Sequence, residues 1–133
     1  MSKIVQLSEA ASIALHAMIL IARGNGAAIN VDKIAEVTGN SRHHIAKVMQ
    51  RLSKNGFVNS FRGPNGGFFL VEKPENIKLL DIYEAIEGKI TISQCPKDKQ
   101  ICPFDKCFMQ NITGKMTKEF IKYMEAQTLD QYI

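Results

Sequence analysis

Apolar side chains recur every three or four residues along several stretches of this chain, with glycine- and asparagine-rich turns between them. In the first, Ile13, Ala14, Ala17, Met18 and Ile21 fall on one helical face. Ser8 is placed to cap that helix, because a serine oxygen can accept from an otherwise unpaired amide of the first turn. Gly24-Asn25-Gly26 ends it. A second, short helix is predicted from Val31 to Thr38, with Asn30 as its cap and Ile34 and Ala35 turned inward. Gly39-Asn40-Ser41 then makes a tight turn into a third helix, predicted from Arg42 to Asn55 and closed by Gly56. Its apolar residues Ile45, Val48, Met49 and Leu52 keep the i, i+3, i+4, i+7 spacing of a single buried stripe, while His43, Lys47, Gln50, Arg51 and Lys54 occupy the other side.

The periodicity then changes. Two β-like runs, Phe57 to Arg62 and Gly67 to Val71, flank Gly63-Pro64-Asn65-Gly66, whose residue types belong to a hairpin turn. A fourth helix is predicted from Leu79 to Glu87, ended by Gly88. The stretch from Thr91 to Cys107 carries Pro96 and Pro103 and reads as irregular. A last long helix is predicted from near Phe108, with the stripe Ile112, Met116, Phe120 and Met124, and Gly114 as its weak point.

This order predicts a mainly α protein with a small β-hairpin: a winged helix-turn-helix followed by a long C-terminal helix. The expected organisation is a winged domain over 1–88, a cysteine-containing loop over 89–107, and the long helix and tail over 108–133. A chain of 133 residues with 45% hydrophobic side chains fits one such domain with an accessory element.

Charge turns the fold into a functional expectation. The net charge of +4 is modest, but its distribution is uneven. Between Val37 and Val71 there is no Asp or Glu, whereas Arg42, Lys47, Arg51, Lys54 and Arg62 all fall there; Glu72, Glu75, Asp81, Glu84 and Glu87 follow. A basic block of this kind suits one face to a polyanion. Double-stranded DNA is the expected partner, with the third helix presented to its major groove. Ser41, Arg42, His43 and His44, at the start of that helix, are the candidates for base edges, although Ser41 is equally suited to be only the helix cap. Lys47, Arg51 and Lys54 are candidates for phosphates, where charge adds affinity without sequence information. Arg62, Gly63, Pro64 and Asn65 form the expected wing tip, placing a cation toward the adjacent minor groove. An ordinary exposed hairpin is the bland alternative. A nucleotide-binding loop is disfavoured, since its lysine and following helix are missing.

Cys95, Cys102 and Cys107 are the chain's three cysteines, separated by six and four residues. An odd number confined to one segment argues against a disulfide framework. Three thiolates on a turn-rich loop can wrap a soft metal centre, but the spacing lacks the paired Cys-x-x-Cys knuckles of common structural zinc sites. An iron–sulfur cluster, a zinc ion and three free thiols all stay open on spacing alone.

Taken together, the chain resembles the IscR/NsrR-type (Rrf-two) family of bacterial transcription regulators. The resemblance rests on Leu7-Ser8 leading into a helix, Leu52-Ser53-Lys54-Asn55-Gly56-Phe57-Val58, Arg62-Gly63-Pro64-Asn65-Gly66-Gly67-Phe68-Phe69-Leu70, and Asp81 to Gly88 ahead of three cysteines. It implies a homodimer held by the C-terminal helix and reading a palindromic operator. It further implies a 2Fe–2S or 4Fe–4S cluster held by Cys95, Cys102 and Cys107, whose state controls DNA binding in response to nitric oxide, redox state or iron supply. The sequence departs from the family pattern at two positions: Gln110 stands where cluster-assembly regulators carry a histidine ligand, and Ser12 where nitric-oxide sensors carry an aspartate. Glu9, Ser12 or His16 of a second copy, or Asp105 locally, are the candidates for a fourth ligand.

Other function classes fit less well. Regulation by zinc or direct thiol oxidation, or an iron–sulfur redox or interaction protein with weak DNA binding, are the alternatives. No nucleophile, base and orienting acid assemble into a hydrolytic site. The run Ala10 to Ala22 is interrupted by Ser12 and His16 and falls short of the roughly 20 apolar residues of a membrane span. A cytoplasmic protein without membrane contact is therefore expected.

Overall fold

The first helix, α1 (Glu9–Arg23), starts where the sequence places its cap: the Ser8 hydroxyl accepts from the Ala11 amide at 3.0 Å. The computed structural model describes residues 2–92 and 103–133. Along α1 the small side chains of Ala11, Ala14 and Ala17 are buried beside Ile13, Met18 and Ile21, which lets neighbouring helices approach closely. The second helix, α2 (Val31–Thr38), is capped by Asn30, whose side chain accepts from the Lys33 amide at 2.8 Å. It stops at Gly39, whose left-handed backbone (φ 76°) turns the chain into the third helix, α3 (Arg42–Lys54).

The chain then forms an antiparallel hairpin of β1 (Val58–Phe61) and β2 (Gly67–Leu70), in which Val58 pairs with Leu70 and Phe61 with Gly67. Ile29, just ahead of α2, adds a bridge to Phe68, with reciprocal backbone hydrogen bonds of 3.0 and 2.8 Å. This bridge ties the hairpin to the helix-turn-helix. Gly67 is needed there: its φ is 151°, and a β-carbon would stand 2.7 Å from the Ile29 carbonyl.

A short 3-10 turn (Pro74–Asn76) leads to α4 (Leu79–Glu87), and the chain ends with α5 (Ile112–Ala126) and a second 3-10 turn (Leu129–Tyr132). The last helix starts at Ile112, the first residue of its stripe, four residues later than the start expected near Phe108. The cause is local: Gln110 and Asn111 have φ of 49° and 62°, a left-handed pair that an α-helix cannot contain. The other helices and both strands agree with the sequence reading to within a residue or two.

One core joins these elements. Ile13, Met18, Ile34, Ile45, Met49, Leu52, Ile82 and Leu129 are all less than 2% exposed. Burying each such side chain contributes roughly 1.5–3 kcal/mol, which holds α1, α2, α3 and α4 together. Leu129 brings the tail into this core, with its amide donating to the Ile77 carbonyl at 3.1 Å. Arg23 of α1 secures the same tail by donating to the Tyr132 carbonyl at 2.7 Å.

The α5 stripe divides. Met124 is buried and Phe120 packs edge-on against Tyr83 of α4 with ring centres 5.3 Å apart, but Ile112 and Met116 remain 44% and 37% exposed. No helix among the described residues is long and apolar enough to cross a membrane.

Candidate nucleic-acid interface

The buried stripe of α3 fixes its orientation, so its polar face has to point outward. Ile45, Val48, Met49 and Leu52 are buried, while Arg42, His43, Lys47, Gln50, Arg51 and Lys54 are exposed and His44 is half-buried. Six of the seven candidates from Ser41 to Lys54 therefore lie on or beside one solvent-facing helix surface, and the seventh, Ser41, sits at its head.

Ser41 does act as a cap: its oxygen accepts from the His44 amide at 3.1 Å. A hydroxyl oxygen has a second lone pair and a rotatable proton, so capping leaves one donor toward solvent. The turn in front of it is held by Thr38, whose hydroxyl donates to the Ile34 carbonyl at 2.8 Å and accepts from the Asn40 amide at 3.3 Å.

Three of the candidates are engaged within the chain. Arg42 is ion-paired with Asp32 of α2. His44 Nδ1 lies 3.3 Å from Glu9 Oε1 of α1, and the same oxygen accepts from Asn40 Nδ2 at 2.9 Å. The Arg51 guanidinium donates to the Ile86 carbonyl, one of the last carbonyls of α4. A cation is favourable at that helix end, where the last turn contains no basic residue of its own. Among the described residues, Lys47, Lys54 and Arg62 pair with no carboxylate.

The wing carries Arg62, Gly63, Pro64 and Asn65 at its exposed tip. The Gly66 amide closes the turn onto the Gly63 carbonyl at 2.9 Å, and a β-carbon on Gly66 would stand 2.4 Å from the Phe61 carbonyl. The tip is therefore tight. Between the wing and the start of α2 lies a cleft of about 360 Å³, bordered by Asn30, Asp32, Ser60, Gly63 and Pro64.

Of the three cysteines, Cys95 and Cys102 lie outside the described residues. Cys107 is exposed at the end of the approach to α5. The nearby backbone amides of Met109, Gln110 and Asn111 hold the thiol below its ordinary pKa. Gln110 and Asn111 are left-handed there, and the Gln110 amide donates to the Cys107 carbonyl at 3.2 Å. Such a sulfur suits a thiolate ligand. The candidate fourth ligands are dispersed: Glu9 is occupied by Asn40 and His44, His16 Nδ1 lies 2.6 Å from the Ser12 carbonyl, and Asp105 is exposed. Among the described residues, no three His, Cys, Asp or Glu side chains gather into a metal-binding group.

Sequence reading missed Asp32, Glu9 and Asn40 as members of this surface. Asp32 and Glu9 precede the acid-free stretch, and only the folding of α1 and α2 against α3 brings them to its first turn. Asn40 was legible only as a turn residue.

Comparison with known proteins matches the family model Rrf2, described as an iron-dependent transcriptional regulator, over residues 7–133. Among solved structures, the global cysteine regulator CymR of B. subtilis is 22% identical, with 96% of this chain and 95% of that chain covered and a TM-score of 0.76. IscR of T. potens is 26% identical over 95% of this chain and 84% of that chain, with a TM-score of 0.73. The oxidized form of Staphylococcus aureus CymR is 26% identical over 94% and 93%, with a TM-score of 0.71.

Proposed function

We propose, from the premise that this chain belongs to the Rrf2 family of transcription regulators, that it binds operator DNA through α3 and the wing. Its affinity would be set by the state of the cysteine segment. The observation that carries the DNA-binding half is the exposed face of α3, where Arg42, His43, Lys47, Gln50 and Lys54 line one surface over a fully buried stripe.

In this reading Ser41, Arg42, His43 and His44 meet base edges in the major groove. Lys47 and Lys54 neutralise phosphates, Arg51 joins them when its guanidinium leaves the Ile86 carbonyl, and Arg62, with Gly63, Pro64 and Asn65, approaches the minor groove. Two copies joined through the exposed part of α5 present two such surfaces to a palindromic site.

Cys95, Cys102 and Cys107 would hold a 2Fe–2S or 4Fe–4S cluster. When bound, that group supplies a centre sensitive to nitric oxide, redox state or iron supply. The backbone amides beside Cys107 favour the thiolate that such ligation requires. The segment leaves the chain directly after α4, whose last turn receives Arg51 of α3 and whose Glu87 accepts from Ser8 at the head of α1. A change of cluster state would therefore act beside residues joined by one hydrogen bond to the DNA-reading helix.

A second reading has support of its own: an exposed thiol held below its ordinary pKa is suited to oxidation, and a neighbour of similar fold exists in an oxidized form. Here Cys107 itself is the sensing atom. Anaerobic purification followed by iron and sulfide analysis separates the two. Iron with an equal amount of sulfide, lost together with signal-dependent operator binding in Cys102→Ala, is the expected result. Metal-free or zinc-containing protein whose DNA binding responds to oxidant only when Cys107 is present would replace the cluster by the thiol.

A further inference from the structure

The cation at the head of α3 does not stand free. Arg42 and Asp32 lie ten positions apart in sequence, on the two helices of the helix-turn-helix, and their side chains meet across the turn. Both are exposed, at 70% and 61%. An exposed ion pair contributes little to stability and exchanges easily with solvent or another anion. It is therefore poorly suited as a structural brace and well suited as a resting place for Arg42.

We propose, building on the DNA-binding reading above, that Asp32 is a specificity-determining positioning residue. It competes for Arg42 against phosphates and yields it to an uncharged base edge that offers two acceptors. The chemistry is a difference between anions. Through its two non-bridging oxygens a phosphate offers the guanidinium no more than the two oxygens of the Asp32 carboxylate already do. It also brings a negative charge close to the Asp32 carboxylate, which stays at the interface. A guanine edge offers O6 and N7 in the fork geometry that arginine matches, and it carries no net charge to be repelled. Asp32 thus lowers non-cognate binding more than cognate binding. Lys33, the neighbouring cation on α2, does not disturb the arrangement, because its partner is Glu36 at 3.9 Å.

The test is Asp32→Asn in the full-length protein, with Glu36→Gln as a control that removes a carboxylate from the same helix without touching Arg42. Each variant is also made in an Arg42→Ala background. Binding is measured across a salt series, using a mixed-sequence duplex and a duplex selected by the wild-type protein from a randomised library.

Asp32→Asn is expected to tighten binding to the mixed-sequence duplex about threefold at low salt and to steepen its logarithmic salt slope by about 0.9, the signature of one added phosphate contact. The slope on the selected duplex stays unchanged. Neither change appears in Glu36→Gln or in the Arg42→Ala background. Equal effects from Asp32→Asn and Glu36→Gln, or an effect that persists without Arg42, would overturn the proposal while leaving the DNA-binding reading intact. A wild-type protein that selects no duplex would overturn both.

Discussion

At the scale of single residues, hydrogen bonds decide which atoms of the candidate surface are available. Glu9 accepts from Asn40 and faces His44 Nδ1, so a neutral His44 carries its proton on that nitrogen and keeps Nε2 as an acceptor. Cys107 shows the same principle applied to a thiol. Its sulfur is exposed, yet amides of Met109, Gln110 and Asn111 favour the thiolate. In metal-free protein, alkylation of Cys107 followed by peptide mass analysis should reach half its limiting rate at lower pH than alkylation of an unstructured cysteine peptide. An identical pH profile would mean that the neighbouring amides do not favour the thiolate in solution. The linkage sign follows from the depressed pKa. Any stabilisation from the thiolate is present above the unfolded-state pKa and fades as pH falls through the folded one. The cysteines and the basic residues were legible from their types alone, because a thiol or a guanidinium announces its chemistry wherever it sits. Their partners were not, since Asp32 and Glu9 come from other helices.

At the scale of elements, two joints hold the candidate surface together. The first is the bridge between Ile29 and Phe68, which fastens the wing to α2 and leaves no room for a side chain at position 67. Gly67→Ala forces a β-carbon against the Ile29 carbonyl and is expected to cost about 1–3 kcal/mol, a range typical of local backbone strain. Thermal unfolding measures that loss, and amide exchange at Phe68 shows whether the bridge opens first. The second joint is the return of the tail. Leu129 is fully buried among residues of the winged domain. Leu129→Ala should lower stability by about 2–5 kcal/mol, as large-to-small core changes do. A loss well below 1 kcal/mol would show that the tail is docked only loosely. The helices, their caps and the hairpin follow from periodicity and turn residues. The late start of α5 does not, because apolar spacing continues through a left-handed turn that no helix can include.

At the scale of the whole molecule, the unfinished burial of α5 sets the expected assembly. Phe120 and Met124 are covered by the chain's own fold, whereas Ile112 and Met116 are left open farther up the same helix. A second copy covering them would make folding depend on concentration, since association stabilises only the folded form. Ile112→Glu together with Met116→Glu should therefore give a folded monomer with weaker operator binding, visible by analytical ultracentrifugation and by a melting temperature independent of concentration. A dimer that survives both substitutions would move the interface elsewhere. By itself, the sequence determined the winged helix-turn-helix, the basic face of α3 and the grouping of three cysteines, because periodicity, caps and residue types act over a few neighbouring positions. Only the tertiary structure decided that Asp32 holds Arg42, that Arg51 reaches the end of α4, that Leu129 completes the core and that the α5 stripe is half covered. Those outcomes depend on which surfaces meet when the helices pack, a property of distances in space that spacing along the chain does not encode.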